Sequence, residues 1–372
     1  MSTSDFHERR FDEETQCKLD IYRQYLRSWL PVFLHREDIR SIQIFDFFAG
    51  PGHDGAGNAG SPVIASEEIA LSLSKNVTAP RDRKRVLLYL NEPDEKRYAV
   101  LINETMPQIR KQNGDLEIIL KKERFSSILQ EGLGYMRKPG AANFVFLDQF
   151  GIKETTHDVL LEIWKCPTTD MMFFVSSSCV NRFKNDNHLQ RYLPPLEPTE
   201  YGIMDGHNAT RLLHRAYTRW IPPDMTYYLG QFSIKRNANI YGLIFGSRHP
   251  LGLDKFLQVA WNKDNLQGEA NFDIDNDNIS THQLYLFTEM KKSTKIKVFE
   301  QHLKDDLLKG NLRTNLELYL YGLRNGMLAR HVREAVSRLQ QEGVIPTQKL
   351  KISYDAWKNR HTENIRLGEI TS

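Results

Sequence analysis

Ile42-Gln43-Ile44-Phe45-Asp46-Phe47-Phe48-Ala49-Gly50-Pro51-Gly52 is a dense apolar run, broken once by a carboxylate and then by glycines. This pattern reads as a parallel strand buried on both faces that empties into a tight loop. A buried strand tolerates an aspartate at the end where a loop or ligand meets it. In open α/β sheets that carboxyl-terminal edge is where small ligands bind. Asp46 is therefore the first functional candidate, with capping of loop amides as the plainer alternative.

Working outward, residues 15 to 34 repeat apolar groups at helical spacing through Leu19, Tyr22, Leu26, Trp29, Leu30 and Phe33, which predicts an amphipathic helix lying on the sheet. After Gly52 the loop continues to Gly60, and Ser61-Pro62 offers an N-cap and a first helical residue. Further strands are expected at Val86 to Leu90, Leu116 to Leu120, Asn143 to Leu147 and Met171 to Ser176, with helices around 95 to 106, 125 to 137 and 157 to 164. Strands alternating with helices give a doubly wound parallel sheet with right-handed crossovers. Asp46, Glu92, Glu123 and Asp148 then fall along one edge of it. Phe232 to Lys235 and Ile240 to Phe245 flank a turn and predict a closing antiparallel hairpin.

Between about 181 and 225 the chain turns polar, basic and aromatic (Arg182, Arg191, Tyr192, Arg211, Arg215, Arg219, Trp220), as an insertion suited to phosphate contact and base stacking or as a solvated helical cover. From about Lys297 the pattern changes to helices at 297 to 309, 312 to 323 and 328 to 342, followed by Gly343-Val344-Ile345-Pro346 and a short β-like stretch. This arrangement suggests a winged helix-turn-helix over 296–372, after an α/β domain over 1–295. Its recognition helix would offer Arg330, Arg333 and Arg338 to nucleic acid, although such modules also serve as protein-interaction surfaces.

Composition agrees with a soluble globular chain: 372 residues, 40% hydrophobic and 26% charged. A net charge of +3 leaves nucleic-acid recognition to local basic patches. No apolar run approaches the roughly 18 residues of a membrane span, and the polar start lacks a signal-peptide core, so the cytoplasm is the expected compartment. Cys17, Cys166 and Cys179 are odd in number and scattered, which speaks against a disulfide framework and against a metal site.

Gly50-Pro51-Gly52-His53-Asp54-Gly55 formally matches the dinucleotide pattern G-x-G-x-x-G. That fingerprint needs a helix to open within it, so that the helix N-terminus faces a pyrophosphate. Here glycines and asparagine continue to Gly60. S-adenosylmethionine has no pyrophosphate and asks instead for close backbone approach to its methionine part, an acid for its ribose hydroxyls and contacts for its adenine. The expected cofactor residues are Asp46, Phe48, Ala49, Gly50 and Gly52, with Glu92 for the ribose and Glu123 and Phe125 for the adenine. Asp148-Gln149-Phe150-Gly151 stands where amine-directed methyltransferases place a carboxylate, a backbone carbonyl and a stacking ring for an extruded base. Asp148, Gln149 and Phe150 are accordingly the catalytic candidates, against a reading in which they end a strand and pack.

Lys18-x6-Tyr25-Leu26-x2-Trp29, Asp46-x-Phe48-Ala49-Gly50-Pro51-Gly52, Gly60-Ser61-Pro62, Glu92, Asp148-x-Phe150-Gly151 and Tyr241 to His249 together resemble the three-Cys-motif partner protein (TcmP) family. The resemblance implies a class I S-adenosylmethionine-dependent methyltransferase fold and a separate partner protein bearing three cysteines. Gln149 stands where that family shows proline. Two functions follow as expectations: methylation of a base nitrogen in nucleic acid, or a catalytically silent methyltransferase-like scaffold or sensor that docks its partner.

Overall fold

Asp12 starts the first helix, its carboxylate accepting the Thr15 amide at 2.9 Å while Glu13 and Glu14 complement the positive end of the helix dipole. The computed structural model describes residues 10–75, 84–114, 116–149, 152–182, 191–279 and 292–366. The helices are α1 (Glu13–Leu34), α2 (Ser61–Lys75), α3 (Glu95–Val100), α4 (Met106–Gln112), α5 (Phe125–Met136), α6 (His157–Trp164), α7 (Ser177–Arg182), α8 (Pro198–Ile203), α9 (Ala209–Arg219), α10 (Pro250–Lys263), α11 (Thr294–Leu308), α12 (Asn315–Arg324), α13 (Ala329–Gln341) and α14 (Tyr354–Lys358). The strands are β1 (Ser41–Asp46), β2 (Arg85–Asn91), β3 (Glu117–Lys121), β4 (Ala141–Leu147), β5 (Thr169–Val175), β6 (Tyr228–Arg236) and β7 (Asn239–Ser247).

The strands form one sheet in the order β3-β2-β1-β4-β5-β7-β6. The first five are parallel, and β7 lies antiparallel between β5 and β6. This is the doubly wound Rossmann-like sheet with a closing hairpin that the sequence predicts. The hairpin turns at Asn237, whose φ of +52° suits asparagine. Alternation along the strands divides the core. Phe45, Tyr89, Val145, Leu147 and Phe173 face α5, α6 and α9. On the other face Phe144 and Phe146 receive Tyr22, Tyr25 and Trp29 of α1, with Tyr22 and Phe146 centroids 4.4 Å apart. Each such ring buried in full is worth about 1.5–3 kcal/mol, so α1 is part of the core rather than an appendage. The helix expected over 95 to 106 is interrupted by a π-helical turn, Leu101–Thr105, which sets Thr105 against the glycine loop.

The chain divides into two compact units, Met1–Lys255 and Phe256–Ser372. The junction read from sequence, 295/296, falls inside α11. In the second unit α11, α12 and α13 supply the three helices. Trp261 donates to the Gly326 carbonyl at 2.9 Å, anchoring the turn between α12 and α13. The expected β-like stretch is different: residues 344 to 353 form no strand. Their carbonyls are taken by side chains instead, Gln340 reaching Gln348 at 2.7 Å, Asn315 reaching Lys351 at 2.8 Å and Arg333 reaching Ile352 at 2.7 Å. Among the described residues no helix is long and apolar enough to cross a membrane.

Candidate functional site

Register assembles the site. Asp46, the last residue of β1, lies opposite Leu90 of β2 and Phe146 of β4. Two residues beyond these partners come Glu92 and Asp148, so the pleat turns all three carboxylates to the face that α1 covers. Asp46 is fully buried, and its carboxyl is pushed up to about 7, chiefly by burial, with further upward pressure from Asp148 and Glu92. The Phe48 amide at 3.2 Å and the Ser61 hydroxyl favour its ionised form, and Oδ2 has no well-formed hydrogen bond.

A raised acid titrates against stability: the folded state binds the proton more tightly than the unfolded chain, so stability present below the ordinary carboxylate range is lost as pH rises toward 7. Asp46→Asn should therefore gain on the natural protein between pH 5 and pH 8, by roughly 2–3 kcal/mol in urea unfolding. A difference that does not change with pH would contradict the burial of an ionisable group here.

The glycine loop is stitched to the ends of β2 and β3. Ala49 donates to the Asn91 carbonyl at 2.9 Å, and Gly50 donates to Glu92 Oε2 at 2.9 Å. Glu92 Oε1 accepts the Asp94 amide at 2.8 Å. Burial is the first cause of the upward shift of this carboxyl. The buried Asn91 side chain donates to the Phe47 carbonyl at 3.1 Å and the Glu123 carbonyl at 3.0 Å, and accepts the Glu123 amide at 3.0 Å. One amide thus ties three strand ends together. Asp54 accepts the amides of Phe11, Ala56 and Asn58, folding the rest of the loop onto the start of the chain.

The two expected glycines differ in what they require. Gly50 has φ +65° and nothing within 4 Å of where a Cβ would stand, so its backbone faces open space at the edge. Gly52 has φ +93°, and a Cβ there would meet Thr105 Cγ2 at 2.4 Å, because Thr105 leans over the loop to donate to the Pro51 carbonyl at 2.7 Å. Gly52→Ala should lower stability by roughly 2–3 kcal/mol through left-handed strain and overpacking. The denaturation midpoint measures this, and an unchanged midpoint would show that the loop relaxes freely.

Phe48 is half-buried and leans on Phe125 at 5.5 Å between centroids. Phe125 opens α5, packs edge-on against Phe47 at 5.2 Å and lies in the core of the opposite face. Glu123 is exposed, with its backbone held by Asn91. These residues therefore gather beside the loop, with Phe48 keeping the more accessible ring.

On the acceptor side Lys18 of α1 donates to Asp148 Oδ2 at 2.5 Å and lies over the Phe174 ring at 4.7 Å. Gln149 is buried and turns inward. Its Nε2 donates to Thr155 Oγ1 at 2.8 Å and to the Phe174 carbonyl at 3.3 Å, and its Oε1 accepts the Glu154 amide at 2.9 Å. The Gln149 side chain thereby fixes the loop after β4. Phe150 lies outside the described residues. Sequence reasoning gave no role to Asn91, Thr105 or the Lys18 ammonium. For Lys18 there was a signal: it shares the helical spacing of Tyr22, Tyr25 and Trp29, so a cation sits on an apolar stripe.

The residues present suit S-adenosylmethionine better than a dinucleotide. α2 opens only at Ser61, so no helix N-terminus stands within the glycine pattern, while Glu92 and the open backbone at Gly50 lie together. Among the described residues no cluster of His, Cys, Asp and Glu could hold a metal ion.

In the second unit the three expected arginines lie on α13 with part of each guanidinium engaged. Arg330 donates to His331 Nε2 at 3.2 Å, Arg333 to the Ile352 carbonyl at 2.7 Å, and Arg338 pairs with Glu300. Arg330 and Arg333 remain exposed.

No curated protein matches the chain. Among solved structures, the O-methyltransferase TomG of Streptomyces achromogenes, in complex with SAM, is similar at 12% identity over 64% of this chain and 90% of its own, with a TM-score of 0.32. A putative O-methyltransferase from Klebsiella pneumoniae is similar at 11% identity over 64% and 90%, with a TM-score of 0.32. Spermidine synthase from Thermotoga maritima is similar at 15% identity over 64% and 62%, with a TM-score of 0.28. Residues 273–349 match the GMT-like wHTH domain family, which gives the second unit its winged helix-turn-helix.

Proposed function

We propose that this chain is an S-adenosylmethionine-dependent methyltransferase acting on a base nitrogen of nucleic acid, together with a three-Cys-motif partner protein. The observation that carries the reading is the row Asp46, Glu92 and Asp148 at one sheet edge, beside a glycine loop whose following helix starts too late for a pyrophosphate. When bound, S-adenosylmethionine supplies an activated methyl group. Glu92 would take the ribose hydroxyls on lone pairs that its two amide contacts leave over, and the loop backbone at Gly50 would allow close approach. Asp148 would use Oδ1, which has no partner among the described residues, to orient the hydrogens of an exocyclic amine. Positioning of this kind supplies most of the rate in such transfers.

The nucleic-acid part draws on exposed Arg215 of α9 and on Arg330 and Arg333 of α13. Arg219 contributes less, since it is paired with Glu200 at 2.7 Å. The partner rests on the resemblance to the three-Cys-motif partner family alone. The test is transfer of labelled methyl groups into a mixed pool of DNA, RNA and protein, with the natural chain and with Asp148→Ala. Label in nucleic acid that disappears in the variant supports the reading. Absence of label in every fraction, with the partner protein present, would instead favour the silent scaffold.

A further inference from the structure

Lys18 is 8% exposed, yet of its three N–H donors only one has a hydrogen-bond acceptor among the described residues, Asp148 Oδ2. An ammonium taken out of water is costly unless acceptors surround it. Its other neighbour of known geometry is the Phe174 ring. The charged groups bearing on it are Asp148 across the edge and Glu14 one turn earlier on α1; Glu14 Oε2 is buried without a hydrogen bond, 3.6 Å from Arg236 Nη1. One turn later the Tyr22 hydroxyl is buried and unpartnered, within electrostatic reach of Asp46, whose Oδ2 is likewise unpartnered. The end of α1 thus brings an under-used cation together with under-used carboxylate oxygens at the mouth of the edge.

We propose that Lys18 and Asp148, with Asp46, form the subsite for the amino-acid end of the methyl donor, Lys18 binding its carboxylate and the aspartates receiving its ammonium. This rests on the methyl-donor reading above and assigns it a residue from outside the sheet. A zwitterion matches an ion pair charge for charge and adds no net charge to the cluster. A phosphate would be set against Asp148, Glu14 and Asp46. A base amine offers hydrogens, which an ammonium cannot accept. Carboxylate is the partner that Lys18 lacks. Asp148 keeps its role toward the acceptor amine as well, because the two oxygens of a carboxylate offer about four lone-pair sites, of which Lys18 takes one on Oδ2.

The test compares two ligands that differ in this one group: S-adenosylhomocysteine, which carries the amino-acid end, and 5′-methylthioadenosine, which does not. Calorimetric titration of the full chain should show Lys18→Met weakening the first by roughly 10–100-fold, as loss of a charge-assisted hydrogen bond implies. The second should change by less than about 2-fold, and Lys18→Arg should restore most of the difference. If Lys18→Met folds poorly, Lys18→Met with Asp148→Asn removes the unpaired charge and should show the same ligand-selective loss. Equal weakening of both ligands, or of neither, overturns the subsite and leaves the methyl-donor reading standing. Failure of the natural chain to bind either ligand overturns both.

Discussion

On the proposed methyl-donor reading, S-adenosylmethionine is expected to raise the melting temperature of the natural protein, and Glu92→Ala to weaken that ligand about 100-fold and abolish the rise. Two charge-assisted hydrogen bonds to a ribose, at about 1.5 kcal/mol or more each, correspond to that factor. The substitution has a second effect, because Glu92 also holds the Gly50 and Asp94 amides. The glycine loop loses its tether to β2, and the unliganded melting temperature should fall as well. Glu92→Gln separates the two contributions. It keeps one acceptor oxygen, enough for one of the two amides, and sets its NH2 against the other, so it should recover part of the unliganded stability while remaining poor in binding. A ligand-induced shift that survives Glu92→Ala would remove this carboxylate from the cofactor site.

On the same reading, Asp148→Ala is expected to reduce methyl transfer by about 10²–10⁴-fold, the range for losing a group that positions or takes a proton. It should also destabilise the fold. Lys18 is then left as a nearly buried ammonium without its carboxylate, a change that costs about 3–5 kcal/mol in a fully buried pair. The Asp148 side chain is 26% exposed, so a cost below that range, roughly 2–3 kcal/mol, is expected. Combining Lys18→Met with Asp148→Ala should return most of this stability by removing both charges, without returning activity. Such a cycle distinguishes the structural share of the pair from its chemical share. Stability that does not recover in the double variant would mean that the pair is not the source of the loss.

The parallel strands were legible because a strand buried on both faces is an unbroken apolar run, and β1, β2, β4 and β5 are buried almost throughout. β3 is half-buried along its length and was placed one residue early. The edge carboxylates were legible because a charge at the end of such a run stands out. The direction of the Gln149 side chain was not, since Thr155 and the Phe174 carbonyl, six and twenty-five residues away, decide it. The same applies to Asn91, whose three contacts lie on neighbouring strand ends. α10 was unread because Gly252 follows close on its opening Pro250 and weakens the start signal that proline gives. The stretch after Pro346 was read as β-like, but it has no partner strand, and side chains of α12 and α13 take the carbonyls of Gln348, Lys351 and Ile352 instead.

Helix α1 is held by residues far along the chain. Tyr25 packs on Phe245 of β7 with centroids 4.9 Å apart, and Lys18 meets Asp148 across 130 residues of chain. Contacts of such separation carry a loop-closure cost that the packing of α1 must offset. Lys18 reaches Asp148 only where α1 lies on the sheet, so docking of α1 as well as strand register assembles the candidate site, and loss of the α1 aromatic contacts would draw the ammonium away from the edge.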